Sequence, residues 1–94
     1  MQPTIGRIVH YTLTEQDASL IASRRAVQAF PAGIVGQHNA VSPGDTYPAV
    51  VVRTFSGSGA NLKVLLDGDD TYWATSRCEG EPGEQGRWIW PPRV

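Results

Sequence analysis

Three runs of β-forming residues, split by two short turns, constrain this chain more than any other feature. YPAVVVRTF begins at Tyr47, NLKVLLD at Asn61 and TYWATSR at Thr71. Ser56, Gly57, Ser58 and Gly59 separate the first pair, and a turn centred on Gly68 separates the second. Short β-branched and aromatic runs bounded by Gly, Ser and Asp read as strands. Turns this tight allow only antiparallel neighbours. Residues 47–77 therefore read as a three-stranded meander. Pro48, which has no N–H to donate, belongs at a strand start or on a sheet edge.

The flanks add a helix and two strands. Residues 5–11 (IGRIVHY) read as a first strand. Thr14 precedes Asp17 by three positions, the spacing of a capping box, in which a hydroxyl satisfies an early helix amide. The acid also sits where the helix dipole favours negative charge. Ala18, Leu20, Ile21, Ala22, Val27 and Ala29 supply an imperfect apolar stripe. A helix over residues 15–28 is expected, ending near Phe30 because the residue before Pro31 disfavours helix. Residues 31–45 read as a long loop, 79–86 (EGEPGEQG) as an acidic, glycine-rich loop, and 87–90 as a short last strand stopped by Pro91 and Pro92.

The predicted architecture is mainly β (α+β): a small SH3-like antiparallel barrel of about five strands, with one helix inserted after the first. With 94 residues, one domain over residues 1–94 is expected. Ten glycines and seven prolines suit such a loop-rich β protein.

Charge and cysteine usage exclude several function classes. The formal net charge is -1, which opposes general nucleic-acid coating, since that needs many phosphate contacts. Seven of the eight basic residues are arginine, Lys63 being the exception. Arginine bonds phosphates and carboxylates bidentately and stacks on rings. The same bias also follows from a GC-rich genome. Cys78 is the one cysteine and has no internal disulfide partner, which fits a reducing compartment. No apolar run reaches the roughly 20 residues a membrane helix needs, and residues 1–11 lack the basic-then-apolar order of a signal peptide.

The segment DGDDTYWATSR (residues 67–77) invites a metal reading, which its spacing rejects. An EF-hand loop places glutamate at position twelve; counted from Asp67, that position is Cys78. The acids read as turn residues instead. In the strand that follows, Tyr72, Ala74 and Ser76 share one face, and Trp73, Thr75 and Arg77 the other. If the second face is exposed, a ring and a guanidinium flank Thr75, a surface suited to a base and a phosphate. The alternative buries Trp73 and pairs Arg77 with an acid such as Asp67. In the first strand, His10 shares a face with Ile8, and Tyr11 with Val9. A lone histidine among apolar neighbours is more often structural than a ligand, and His38 has no second metal-like ligand at a useful spacing. Arg24 and Arg25, late in the helix, read either as cations near its negative end or as a phosphate clamp. Trp88 and Trp90 share a face of the last strand and serve either barrel closure or a subunit interface. No P-loop, GxSxG, HExxH or GxGxxG occurs, so a non-enzyme with no cofactor or metal is expected.

At GRIVHYTL, VSPGDTYPAVVVR, NLKVLLDGDDTYWATSR and RWIWPPRV the chain resembles a family of small proteins encoded by tailed bacteriophages and prophages. The likeness covers most of the chain apart from residues 26–37. It implies a viral source and a host bacterial cytoplasm, and carries no catalytic residue onto this sequence. Phage accessory proteins of this size often act in counter-defence, some as oligomeric sponges that bind a host nucleotide immune signal without cleaving it. By that analogy the expected function is sequestration of a nucleotide-type small molecule, a cyclic dinucleotide or cyclic ADP-ribose isomer, in a pocket between subunits of a homo-oligomer. The residues expected to form the pocket are His10, Tyr11, Arg24, Arg25, Trp73, Thr75 and Arg77: arginines on phosphates, rings on a base, Thr75 on a sugar or phosphate oxygen. The alternative is a structural or adaptor protein that binds a protein partner through an SH3-like barrel surface. A nucleic-acid binder and a phosphodiesterase rank below both.

Overall fold

A computed structural model describes residues 2–29 and 37–92. Five strands and one helix follow in the order β1 (Ile8–Thr12), α1 (Glu15–Ala29), β2 (Thr46–Thr54), β3 (Ala60–Leu65), β4 (Thr71–Arg77) and β5 (Trp88–Ile89). The strands form one antiparallel sheet in the order β4-β3-β2-β1-β5. The expected mainly β architecture, with a helix after the first strand, is therefore the observed one. The first strand starts later than expected, at Ile8. Gly6 turns there with φ 91° and donates its N–H to the Val51 carbonyl at 2.8 Å. The expected helix end at Phe30 and the first part of the 31–45 loop lie outside the described residues.

Two register shifts in the sheet meet at Asn61. Between the pairs Leu62↔Ala74 and Ala60↔Arg77, Asn61 on β3 faces both Thr75 and Ser76 on β4. Between Val51↔Leu62 and Arg53↔Asn61, Val52 is the extra residue on β2. One β3 position thus meets a bulge on each neighbour, and each bulge bends and twists its strand. Asn61 is buried and accepts the Ser76 N–H on Oδ1 at 2.8 Å. Past β4 the chain swings round to β5 through a single parallel bridge, Glu79↔Trp88. Buried Trp88 fastens this meeting by donating its indole N–H toward the carbonyls of Ser58, at 3.0 Å, and Arg77, at 3.2 Å.

Alternate residues of each strand build the core. Val9 and Tyr11, Ala49 and Val51, Leu62 and Val64, Tyr72 and Ala74, and Trp88 form one buried cluster with Leu13, Leu66 and Ile21 of the helix. Trp90 packs against the same cluster, its ring edge-on to Trp88 at 5.2 Å. Helix propensity is secondary here. α1 is held because its Asp17, Ala18 and Ile21 side is buried.

The acidic turn between β3 and β4 has a structural job. Asp67 accepts from the Asn39 side chain at 2.8 Å, and Asp69 from the Gln37 N–H at 3.2 Å. Two backbone bonds, Asn39 N–H to the Asp67 carbonyl and Asp69 N–H to the Gln37 carbonyl, complete the tie. These acids, expected as solvated turn residues, are exposed yet dock segment 37–39. The docking needs Gly68: a Cβ there would lie 2.4 Å from the His38 Cβ and 2.9 Å from its Cα. Gly68→Ala should therefore lower stability by about 1–3 kcal/mol, as overpacking against backbone does. A urea titration should show the midpoint fall with the slope unchanged. An unshifted midpoint would mean that the docked segment contributes nothing.

Candidate functional site

A single carboxylate organises the most polar part of the interior. Thr14 and Asp17 form the expected reciprocal cap: Thr14 Oγ1 accepts the Asp17 N–H at 2.9 Å, and Asp17 Oδ2 accepts the Thr14 N–H at 3.0 Å. The same carboxylate takes three more donors. Tyr11 of β1 donates its hydroxyl to Oδ2 at 2.5 Å, Tyr72 of β4 donates to Oδ1 at 2.8 Å, and Arg77 Nη2 reaches Oδ1 at 3.2 Å. Asp17 is only 1% exposed. Burial alone would push its carboxyl up, but the Thr14 N–H, the two phenols and the Arg77 charge outweigh that and hold it below the ordinary carboxylate value. Burial, with the Asp17 bond next in weight, pushes both tyrosine hydroxyls up, so they remain donors.

Arg77 reaches Asp17 only because of the β4 bulge. Strict alternation places Trp73, Thr75 and Arg77 on one face, as the sequence reading expected. The extra residue shifts the phase by one, and Ser76 takes φ 56°, the one positive φ among the described non-glycine residues. Trp73 and Thr75 stay outside, while Arg77 turns to the face of Tyr72 and Asp17. Its acid partner is Asp17; Asp67, the partner considered from sequence, is bonded to Asn39. The Arg77 guanidinium carbon also lies 5.6 Å from the centre of the Tyr11 ring.

Beside this network opens a polar cleft of about 380 Å³, lined by Thr14, Ser76, Arg77, Cys78, Gln85, Gly86 and Arg87. Arg77 shows 29% of its side chain to solvent here. Its Nε is buried with no hydrogen-bond partner, so what the cleft meets is the exposed remainder of the side chain. Arg87 is half exposed and only loosely paired, its Nε 3.7 Å from Glu84. Two guanidiniums, two hydroxyls and a side-chain amide on one cleft suit an anion such as phosphate. Among the described residues, no three His, Cys, Asp or Glu side chains gather as a metal site.

The seven residues expected to line one pocket fall into three places. Tyr11 and Arg77 belong to the Asp17 network, Tyr11 being fully buried. Arg24 joins them at one remove, exposed on the helix with its guanidinium carbon 5.8 Å from the Tyr72 ring centre. Arg25 is spent elsewhere: Nε and Nη2 bond the two Asp70 oxygens at 2.7 and 2.9 Å, and Nη1 bonds the Asn39 carbonyl at 2.9 Å. That bidentate bond holds the Asp70 carboxyl below its ordinary value. His10, Trp73 and Thr75 lie on the opposite side of the sheet, Trp73 being 55% exposed rather than core, and His10 half-buried across from Pro48 and Ile89. Asp17, Tyr72, Ser76 and Arg87 were not expected at a site. The cap spacing marked Asp17, but nothing local showed that β4 would reach the same carboxylate.

The network predicts an acid response. The folded-state carboxyl of Asp17 lies below the unfolded value near 3.9. Its contribution is therefore present above about pH 4 and lost as pH falls through the folded value. Asp17→Asn should be less stable than the wild-type chain at pH 7 by about 1–3 kcal/mol, through mispaired donors. It should also lose stability more slowly below pH 4, the remaining slope coming from groups such as Asp70. Parallel pH profiles in denaturant melts would show that Asp17 is not the acid-sensitive group.

No protein-family model, curated protein or solved structure matches this chain.

Proposed function

We propose that the protein binds a phosphorylated, nucleotide-derived small molecule and holds it without cleaving it, seating a phosphate in the cleft between Arg77 and Arg87. One observation carries the reading: an arginine anchored by a buried carboxylate, with part of its side chain still exposed, stands beside a second arginine on a polar cleft. A pre-positioned guanidinium loses little freedom when it meets an anion, so more of the bond appears as affinity. The resemblance to small tailed-phage proteins supplies the biological reading: sequestration of a host immune signal, a cyclic dinucleotide or cyclic ADP-ribose isomer, in the host bacterial cytoplasm. Within one copy the exposed ring of Trp73 and the cleft lie on opposite sides of the sheet. The phosphate sits in the cleft, and a neighbouring copy in a homo-oligomer completes the pocket around the rest of the guest. The exposed apolar residues Ile8, Val52, Leu65 and Trp73 favour a second reading, an adaptor that docks a protein partner on the sheet.

Isothermal titration against cyclic dinucleotides and cyclic ADP-ribose isomers tests the first reading. Saturable heat is expected with at least one, and chromatography should recover that ligand intact. Arg87→Ala, which leaves the Asp17 network whole, should weaken binding about tenfold or more, the loss of one charge-assisted contact of about 1.5–3 kcal/mol. Absence of heat across the panel removes the reading, and cleavage of the ligand removes its non-enzymatic part.

A further inference from the structure

The outer face of the sheet has no cover from the described helix, which packs on the other side. Register places Ile8, Val50, Lys63 and Trp73 in one row across four strands. Ile8 is 44% exposed, Leu65 39% and Trp73 55%. Lys63, exposed Arg53 opposite Asn61, and half-buried His10 are ionisable groups of this face, and the strands that form it carry no carboxylate. Stacking two such faces directly would set one Lys63 near another with no acid to answer it, which like-charge juxtaposition penalises.

The same chain carries a complementary surface. The side of α1 opposite its buried Asp17, Ala18 and Ile21 presents Leu20, 47% exposed, and Val27, 72% exposed, two turns apart. Glu15, Gln16, Ser19 and Leu20 form a shallow, open patch there. The cation nearby, Arg24, is turned over the Tyr72 ring. One surface thus offers a projecting ring beside a lysine, and the other exposed apolar side chains beside a glutamate.

We infer that the outer sheet face seats the exposed side of α1 from a second copy of this chain, with Trp73 packing on Leu20 and Lys63 facing Glu15. The contact joins two different patches, so each copy offers one sheet face and one helix face; repetition closes a ring where the rotation between neighbours closes and otherwise runs on as an open chain. The inference goes beyond the ligand reading and needs no ligand. Molar mass measured without ligand therefore fails or succeeds independently of any titration.

Light scattering coupled to gel filtration, over a concentration series, reads the result. The wild-type chain should run as an oligomer, and Trp73→Glu and Leu20→Glu should each run as monomers with unchanged circular dichroism. Mixing the two variants should restore a dimer, because each contributes one intact face. Charge reversal gives a milder second arm: Lys63→Glu or Glu15→Lys weakens assembly, and the double reversal recovers it. A monomeric wild-type chain at every soluble concentration overturns the inference. So does an oligomer that survives Leu20→Glu, or a mixture that stays monomeric while both variants remain folded.

Discussion

The Asp17 carboxylate is the interaction on which the rest of this structure depends. Burying a charge is costly unless hydrogen bonds and an opposite charge answer it. Here the Thr14 N–H, two tyrosine hydroxyls and one guanidinium all answer it. The donors come from β1, the helix start and β4, so one ion fixes three elements against each other. Such a network is all-or-none: complete, it specifies one arrangement; missing a donor, it leaves a buried charge short of a partner. It also makes Arg77 a rigid cation on the wall of a cleft.

Two further constraints act at a distance from that ion. Asn61 stands opposite a bulge on each neighbouring strand and satisfies the Ser76 N–H that the β4 bulge frees. Without the bulge, alternation would leave Arg77 on the outer face and Asp17 without its cation. At the other end of β4, Arg25 grips Asp70 bidentately and ties the helix to the acidic turn, with the Arg25 side chain only 8% exposed. A pair this buried gives up hydration on both partners, so it fixes geometry more surely than it adds stability. The helix is thus pinned through Asp17 near its start and Arg25 farther along. Between these pins Leu20 faces away from the core, as Glu15 does just before the first.

The local rules written into the chain determined the elements. Tight Gly- and Ser-containing turns permitted only a meander, the Thr14–Asp17 spacing placed the helix start, and β4 runs over the residues read as its strand. The single cysteine, the near-neutral charge and the lack of a catalytic signature also narrowed the chemistry. Tertiary structure alone decided which side chains meet. Alternation misplaced Arg77 because a bulge depends on how β3 and β4 pair, which no run of residues encodes locally. Asp17 looked like an ordinary cap because its other donors sit 6, 55 and 60 positions away in the chain. Arg24 and Arg25, adjacent in sequence, part company because neighbours on a helix point about 100° apart: one lies over the Tyr72 ring, the other is locked to Asp70. Periodicity is a property of short stretches and survives in the sequence. The convergence of four donors on one carboxylate depends on long-range packing, and it exists only once the chain has closed around that ion.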